Sequence, residues 1–142
     1  MTSPVHDALA RAERSAVHWE LRDQYTPDDP TFRAWLDEWR PDESEERWRS
    51  GWYALTAETA ARGVEIRRAR LVSEPVTDYI KYEHSLTFAN VAAGERVRWL
   101  SRAAAKDLLF PALDGWLIDG TLILHHWDGA GRPVTAHGNA TP

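Results

Sequence analysis

The spacing of apolar residues changes several times along the chain, and each change predicts an element. Residues 15–22 alternate Val17, Trp19 and Leu21 with His18, Glu20 and Arg22, the period of two of a half-buried strand. Residues 95–100 repeat the pattern, with Val97 and Trp99 against Arg96 and Arg98. Helical spacing appears elsewhere. Residues 4–14 place Ala8, Leu9 and Ala12 together. Asp29-Pro30 supplies an N-cap and a first-turn proline for a helix carrying Phe32, Trp35, Leu36 and Trp39, which Pro41 ends. A longer helix is predicted from about Ser44 to Arg62, capped by Ser44, with Trp48, Trp52, Leu55 and Thr59 in one stripe and Gly63 as its stop.

Residues 64–72 read as a strand whose parity breaks: Val64 and Ile66 share one face, Ala69 and Leu71 the other. A bulge near Arg67-Arg68 would reconcile the two halves. A helix over about 75–88 follows, opened by Ser73-Glu74-Pro75, with Val76, Tyr79, Ile80, Glu83 and Leu86 along its face. Ser101 caps a predicted short helix ending near Leu109. Two apolar runs then flank Asp119-Gly120, the dipeptide of a type I′ hairpin, in which both central residues need positive φ. Residues 129–142 lack an apolar pattern and read as a flexible tail. Strands alternating with helices and ending in a hairpin predict one α+β domain over residues 1–128, a mixed sheet with packed helices.

Composition sharpens this picture only in places. The chain has 142 residues, 43% of them hydrophobic, within the usual range of a single globular domain. It has no cysteine, which excludes disulfides and thiolate chemistry. It shows neither a signal peptide nor an apolar run long enough to span a bilayer, so the cytoplasm is the expected location. Charge is uneven. Residues 1–60 hold seven basic and thirteen acidic side chains, while residues 62–106 hold nine and five. Arg67, Arg68, Arg70, Arg96 and Arg98 would form a basic strip on neighbouring strands, and pairing with the acidic N-terminal half explains it better than an anion or nucleic-acid surface.

No constellation declares a reaction. His125 and His126 are adjacent on a strand, so they point to opposite faces and do not share an ion. Glu74 and Asp78 suit a helix start, and Glu83-His84 has no evident catalytic companion. Ser73 lacks the glycines of a nucleophile elbow and suits a cap. No catalytic residue, metal ligand or cofactor is assigned.

Two segments resemble a known family: residues 73–83 (Ser-Glu-Pro-Val-Thr-Asp-Tyr-Ile-Lys-Tyr-Glu) and residues 90–100 (Asn-Val-Ala-Ala-Gly-Glu-Arg-Val-Arg-Trp-Leu). Together with residues 115–120 they are similar to the actinobacterial domain of unknown function 6879. The hairpin resembles, more faintly, one half of a phospholipase-D-like fold, although the His-x-Lys of that superfamily is absent. The family resemblance implies an accessory role beside helix-turn-helix regulators, and a further helical segment after the hairpin. The expected function is therefore a non-enzymatic regulatory or interaction domain. Its expected partner is a protein such as a helix-turn-helix transcriptional regulator; a homodimer is allowed, and neither membrane nor direct nucleic-acid binding is expected. The surface to mutate would be Asp78, Tyr79, Lys81 and Glu83. The alternative is a small-molecule sensor or enzyme with a polar pocket between the 75–88 helix and the hairpin, near Tyr79, Glu83, Arg98, Trp116 and His126.

Overall fold

A computed structural model of the chain describes residues 3–26, 28–130, 132–134 and 139–140. In chain order its elements are α1 (Pro4–Arg11), β1 (Ser15–Glu20), α2 (Pro30–Leu36), a 3-10 turn (Glu46–Arg49), α3 (Gly51–Ala61), β2 (Glu65–Val72), α4 (Asp78–Ala92), β3 (Glu95–Ser101), β4 (Asp114–Ile118) and β5 (Thr121–Trp127). Two strands of two residues follow, β6 (Pro133–Val134) and β7 (Asn139–Ala140). The fold is the predicted α+β domain with a mixed sheet.

The sheet runs β3-β2-β1-β4-β5-β6, with β7 also on β5. β1, β2 and β3 are parallel to one another, and β4 and β5 are antiparallel additions on the other side of β1. Parallel neighbours need long crossovers. Residues 21–64, with α2 and α3, make the first, and α4 makes the second. The order reverses at β1: β2 and β3 extend the sheet on one side, the hairpin on the other.

Register assigns the faces. Ala16, His18 and Glu20 stand level with Ile66, Arg68 and Arg70, and these with Glu95, Val97 and Trp99. Ala16 and His18 also stand level with Ile118 and Trp116. On this face Ala16, Ile66, Trp116, Ile118 and Ile123 pack with Val5 and Leu9 of α1 and, at their margin, Trp52, Leu55 and Ala60 of α3. A second cluster gathers Tyr25, Phe32, Tyr79 and Tyr82 where α2 meets α4, with Trp35, Leu86 and Trp127 against it. The opposite face carries Arg67, Ala69, Arg96, Arg98 and Leu117, all exposed.

Several expectations are corrected. The helix predicted from Ser44 divides at Ser50: Gly51 has φ +54, a left-handed conformation that interrupts the helix and separates the 3-10 turn from α3. Ser44 caps nothing, because its N–H and hydroxyl both donate to Asp42. β2 has no bulge, since it pairs residue for residue with β1 and β3. Its parity breaks because Arg68 and Arg70 stand on the face of Ile66 that the helices cover. α4 begins at Asp78, capped by the Thr77 hydroxyl, while Ser73 instead donates to Asp23. Residues 102–107 form successive turns, with Ala104 N–H donating to the Ser101 hydroxyl, and not the expected helix.

The hairpin turns as predicted, with φ +48 at Asp119 and +88 at Gly120. Asp119 also accepts hydrogen bonds from the backbone N–H groups of Glu13, Arg14 and Ser15, tying the turn to the entry of β1. The segment expected to be a loose tail supplies β6 and β7, which pair with β5 at Trp127↔Pro133, His126↔Val134, Leu122↔Ala140 and Ile123↔Asn139. Residues 131, 135–138 and 141–142 lie outside the described residues.

Candidate functional site

The covered face of the sheet contains a charge network between the two apolar clusters. Arg70, whose side chain is fully buried, donates from Nη2 to Glu83 of α4 at 2.7 Å. Its Nη1 donates to the backbone oxygen of Arg22 at 2.8 Å, and its guanidinium lies 5.1 Å from the Tyr25 ring. Arg68 donates from Nη1 to Glu20 at 2.9 Å. The Nε of Arg68 lies 2.8 Å from Glu95, an ion pair whose N–H is not aligned on the oxygen. His18 stacks on Trp116 with ring centroids 4.0 Å apart, and its Nδ1 is 4.0 Å from Glu20.

The balance of charge sets the protonation states. Two guanidiniums face the three carboxyls of Glu20, Glu83 and Glu95. Burial opposes ionisation of Glu20, but the adjacent positive groups outweigh it and hold its carboxyl down at about 2. Burial and repulsion from Glu20 push the Glu83 carboxyl up to about 7 in spite of Arg70. Burial also raises Glu95 and Asp114. Burial, with Arg68 and Arg70 nearby, depresses His18 to about 3, so its ring is neutral at neutral pH. Breaking such a network by removing one partner leaves an unpaired buried charge, so its first effect is to fix the backbone around it.

That backbone is the wall of a cavity. Immediately beyond Glu20 the chain leaves the sheet, and residues 21–23 are held from every side. Arg102 donates to Leu21 O at 2.7 Å and Arg70 to Arg22 O. Leu21 N–H donates to Asp114, and Arg22 N–H to the Tyr25 hydroxyl. The Tyr25 hydroxyl itself makes a short hydrogen bond to Asp114. Asp23 accepts from the N–H and hydroxyl of Ser73. Residues 110–113 close the other side, anchored where Trp19 Nε1 donates to Leu113 O at 2.8 Å.

The space between these segments, partly open to solvent, measures about 440 Å³. Leu21, Leu71, Phe110, Pro111, Leu113 and Trp127 give it apolar walls, and Arg22, Arg102 and Asp114 give it polar groups. It lies outside the carboxyl ends of β1, β2 and β3, reached through Leu21, Leu71 and Arg102. The sheet reverses its order at β1. Open sheets with parallel strands characteristically bind ligands at such a point.

The residues singled out from sequence do not converge. Asp78 and Lys81 are exposed, 3.9 Å apart on the first turn of α4. Tyr79 is buried against Phe32. Glu83 belongs to the network, and Trp116 reaches it through His18. Arg98 is exposed on the opposite face, level with Ala69. His126 is half-buried and alternates with His125, which stands level with Asp114 on the network's face. Glu83 of α4 is paired with Arg70 of β2, and the cavity is lined by none of Tyr79, Glu83, Arg98, Trp116 and His126. Sequence reasoning places Arg68 and Arg70 in a basic strip facing the acidic N-terminal half, but does not single out Glu20, Glu95, Arg22 or Asp114 as site residues. The network's signal was that Arg68 and Arg70 share the parity of Ile66, with Glu20 at the same parity as Ala16 on β1.

This arrangement belongs to a family defined by sequence and still without an assigned role. The model of the Domain of unknown function (DUF6879) matches residues 4–142, and the chain is a member of that family. The match carries neither an organism of origin nor the phospholipase-D-like likeness. No curated protein matches the chain. Among solved structures it is similar to the archaeal chromatin protein TrmBL2, whose structure is described as showing a novel mode of DNA binding. That likeness has 11% identity and a TM-score of 0.44, and covers 89% of this chain and 36% of the other. The partner expectation that set direct nucleic-acid binding aside is corrected, since a structure similar to this chain is that of a DNA-binding protein. A likeness of this size does not transfer DNA binding to the present chain.

Proposed function

We propose that the chain is a small-molecule-binding domain whose ligand occupies the cavity outside the carboxyl ends of β1, β2 and β3. The observation that carries this reading is the cavity itself: about 440 Å³, lined in equal parts by polar and apolar surface, with Arg22, Arg102 and Asp114 among its walls. Ligand sites commonly have this size. Its walls are fixed in advance by Arg70, Arg102, Asp114 and Trp19, so a ligand would meet a site that does not have to be ordered first. The charge network supports the wall and is not itself the binding surface.

Ala112 lines the cavity and is exposed, so Ala112→Trp fills the space without disturbing the core. A panel of small metabolites, screened by thermal denaturation, is expected to contain compounds that raise the melting temperature of the native chain and leave Ala112→Trp unmoved. Equal shifts in both proteins would place the ligand elsewhere and reject the reading.

A further inference from the structure

The hydrogen-bonding groups around the cavity are unevenly engaged. Several acceptors are already engaged. Leu21 O accepts from Arg102, Arg22 O from Arg70, and Leu113 O from Trp19. The Asp114 carboxylate accepts from Leu21 N–H and from the Tyr25 hydroxyl, one on each oxygen. Arg102 is committed as well, donating to Leu21 O and to the Ser73 hydroxyl and lying 3.8 Å from Asp23.

Two donors are not committed. The Arg22 guanidinium has no ion pair or hydrogen bond among the described residues, and its one contact is with the Trp127 ring, 5.7 Å away. The Trp127 indole N–H is buried and has no hydrogen-bond partner among the described residues. A partly closed cavity strengthens the attraction between an anion and a guanidinium relative to open water. An unpaired guanidinium, with Leu71, Phe110 and Leu113 beside it in the lining, favours an acceptor with an apolar body.

Resting on the ligand-binding reading above, we infer that the cavity takes a small amphipathic anion, a carboxylate or phosphate ester with a hydrocarbon or aromatic body. Its oxygens accept from the Arg22 guanidinium, which lines the cavity beside the Trp127 ring. Its body lies against Leu71, Phe110 and Leu113. Arg22 is suited to this because its backbone N–H and oxygen are pinned by Tyr25 and Arg70 while its side chain is unengaged.

The test is a calorimetric titration with four probes: hexanoate, phenyl phosphate, hexan-1-ol and inorganic phosphate. A charge-assisted contact predicts that hexanoate and phenyl phosphate bind about tenfold or more tightly than hexan-1-ol. Inorganic phosphate, which lacks the apolar body, should bind more weakly than phenyl phosphate. Arg22→Gln should bring hexanoate to the affinity of hexan-1-ol and leave the alcohol unchanged, while Arg22→Lys keeps part of the preference. Circular dichroism confirms that both variants are folded.

Equal affinity of wild type for hexanoate and hexan-1-ol would overturn the anion inference and leave the ligand site standing. So would a preference that survives Arg22→Gln. Absence of binding by all four probes up to about 1 mM, a contribution of only about 4 kcal/mol, would overturn the inference and the ligand site together.

Discussion

Arg70 is the residue on which most of the interior depends. It is 1% exposed, and its guanidinium joins Glu83 of α4 to the backbone of Arg22. Arg70→Met removes the partner of a buried carboxyl and should cost about 3–5 kcal/mol in urea denaturation. Glu83→Gln should behave differently, because its effect follows pH. Folding raises the Glu83 carboxyl from 4.5 to about 7, so the folded state binds the extra proton between those values. Wild-type stability therefore falls relative to the Gln variant as pH rises from 4.5 to about 7, and levels off above that. Denaturation midpoints of the two proteins across that interval measure the difference, and a constant gap would show that Glu83 does not titrate there. The neutral His18 works in the opposite sense below pH 6.5, so the comparison with the variant is the informative quantity.

At the scale of elements, the period of two and the Asp-Gly dipeptide were sufficient for β1, β3 and the hairpin, because those signals are local. Asp119 shows how far a local signal can carry. It adopts the positive φ of the turn and also accepts three backbone N–H groups at the α1–β1 junction, Glu13, Arg14 and Ser15. Asp119→Ala should lower the melting temperature more than Asp119→Asn, since Asn keeps one acceptor oxygen and tolerates positive φ. Equal loss in the two would show that the acceptors contribute nothing. The elements misread are those decided by tertiary contact. A single glycine at 51 divided the 44–62 helix, though its neighbours have helical spacing. In β2 the change of apolar parity predicts a bulge, yet the strand is regular, because Arg68 and Arg70 stay on the covered face opposite carboxyls of β1, β3 and α4.

For the whole molecule, the α+β class and mixed sheet were legible, because strands and helices alternate and the chain ends in a hairpin. Strand order was not, since nothing in a single strand's pattern states its neighbour. The candidate site depended on that order. Its lining comes from residues 21–22, 71, 102, 110–114 and 127, which only the sheet brings together. Glu83 and Trp116 are legible from their positions on predicted elements, whereas Arg22 and Asp114 are not: Asp114 accepts from the distant Leu21 N–H, and the Arg22 backbone is held by the distant Arg70 side chain. No described helix is long and apolar enough to cross a membrane.

The central claim is that the cavity beyond β1, β2 and β3 is a ligand site, and the indole N–H resonance of Trp127, assigned by its loss in Trp127→Phe, reports on it directly. Titration with phenyl phosphate should shift that resonance in a saturable manner in the native chain and leave it unmoved in Ala112→Trp. A Trp127 resonance unaffected in the native chain, while indole signals of other tryptophans move, would contradict the claim.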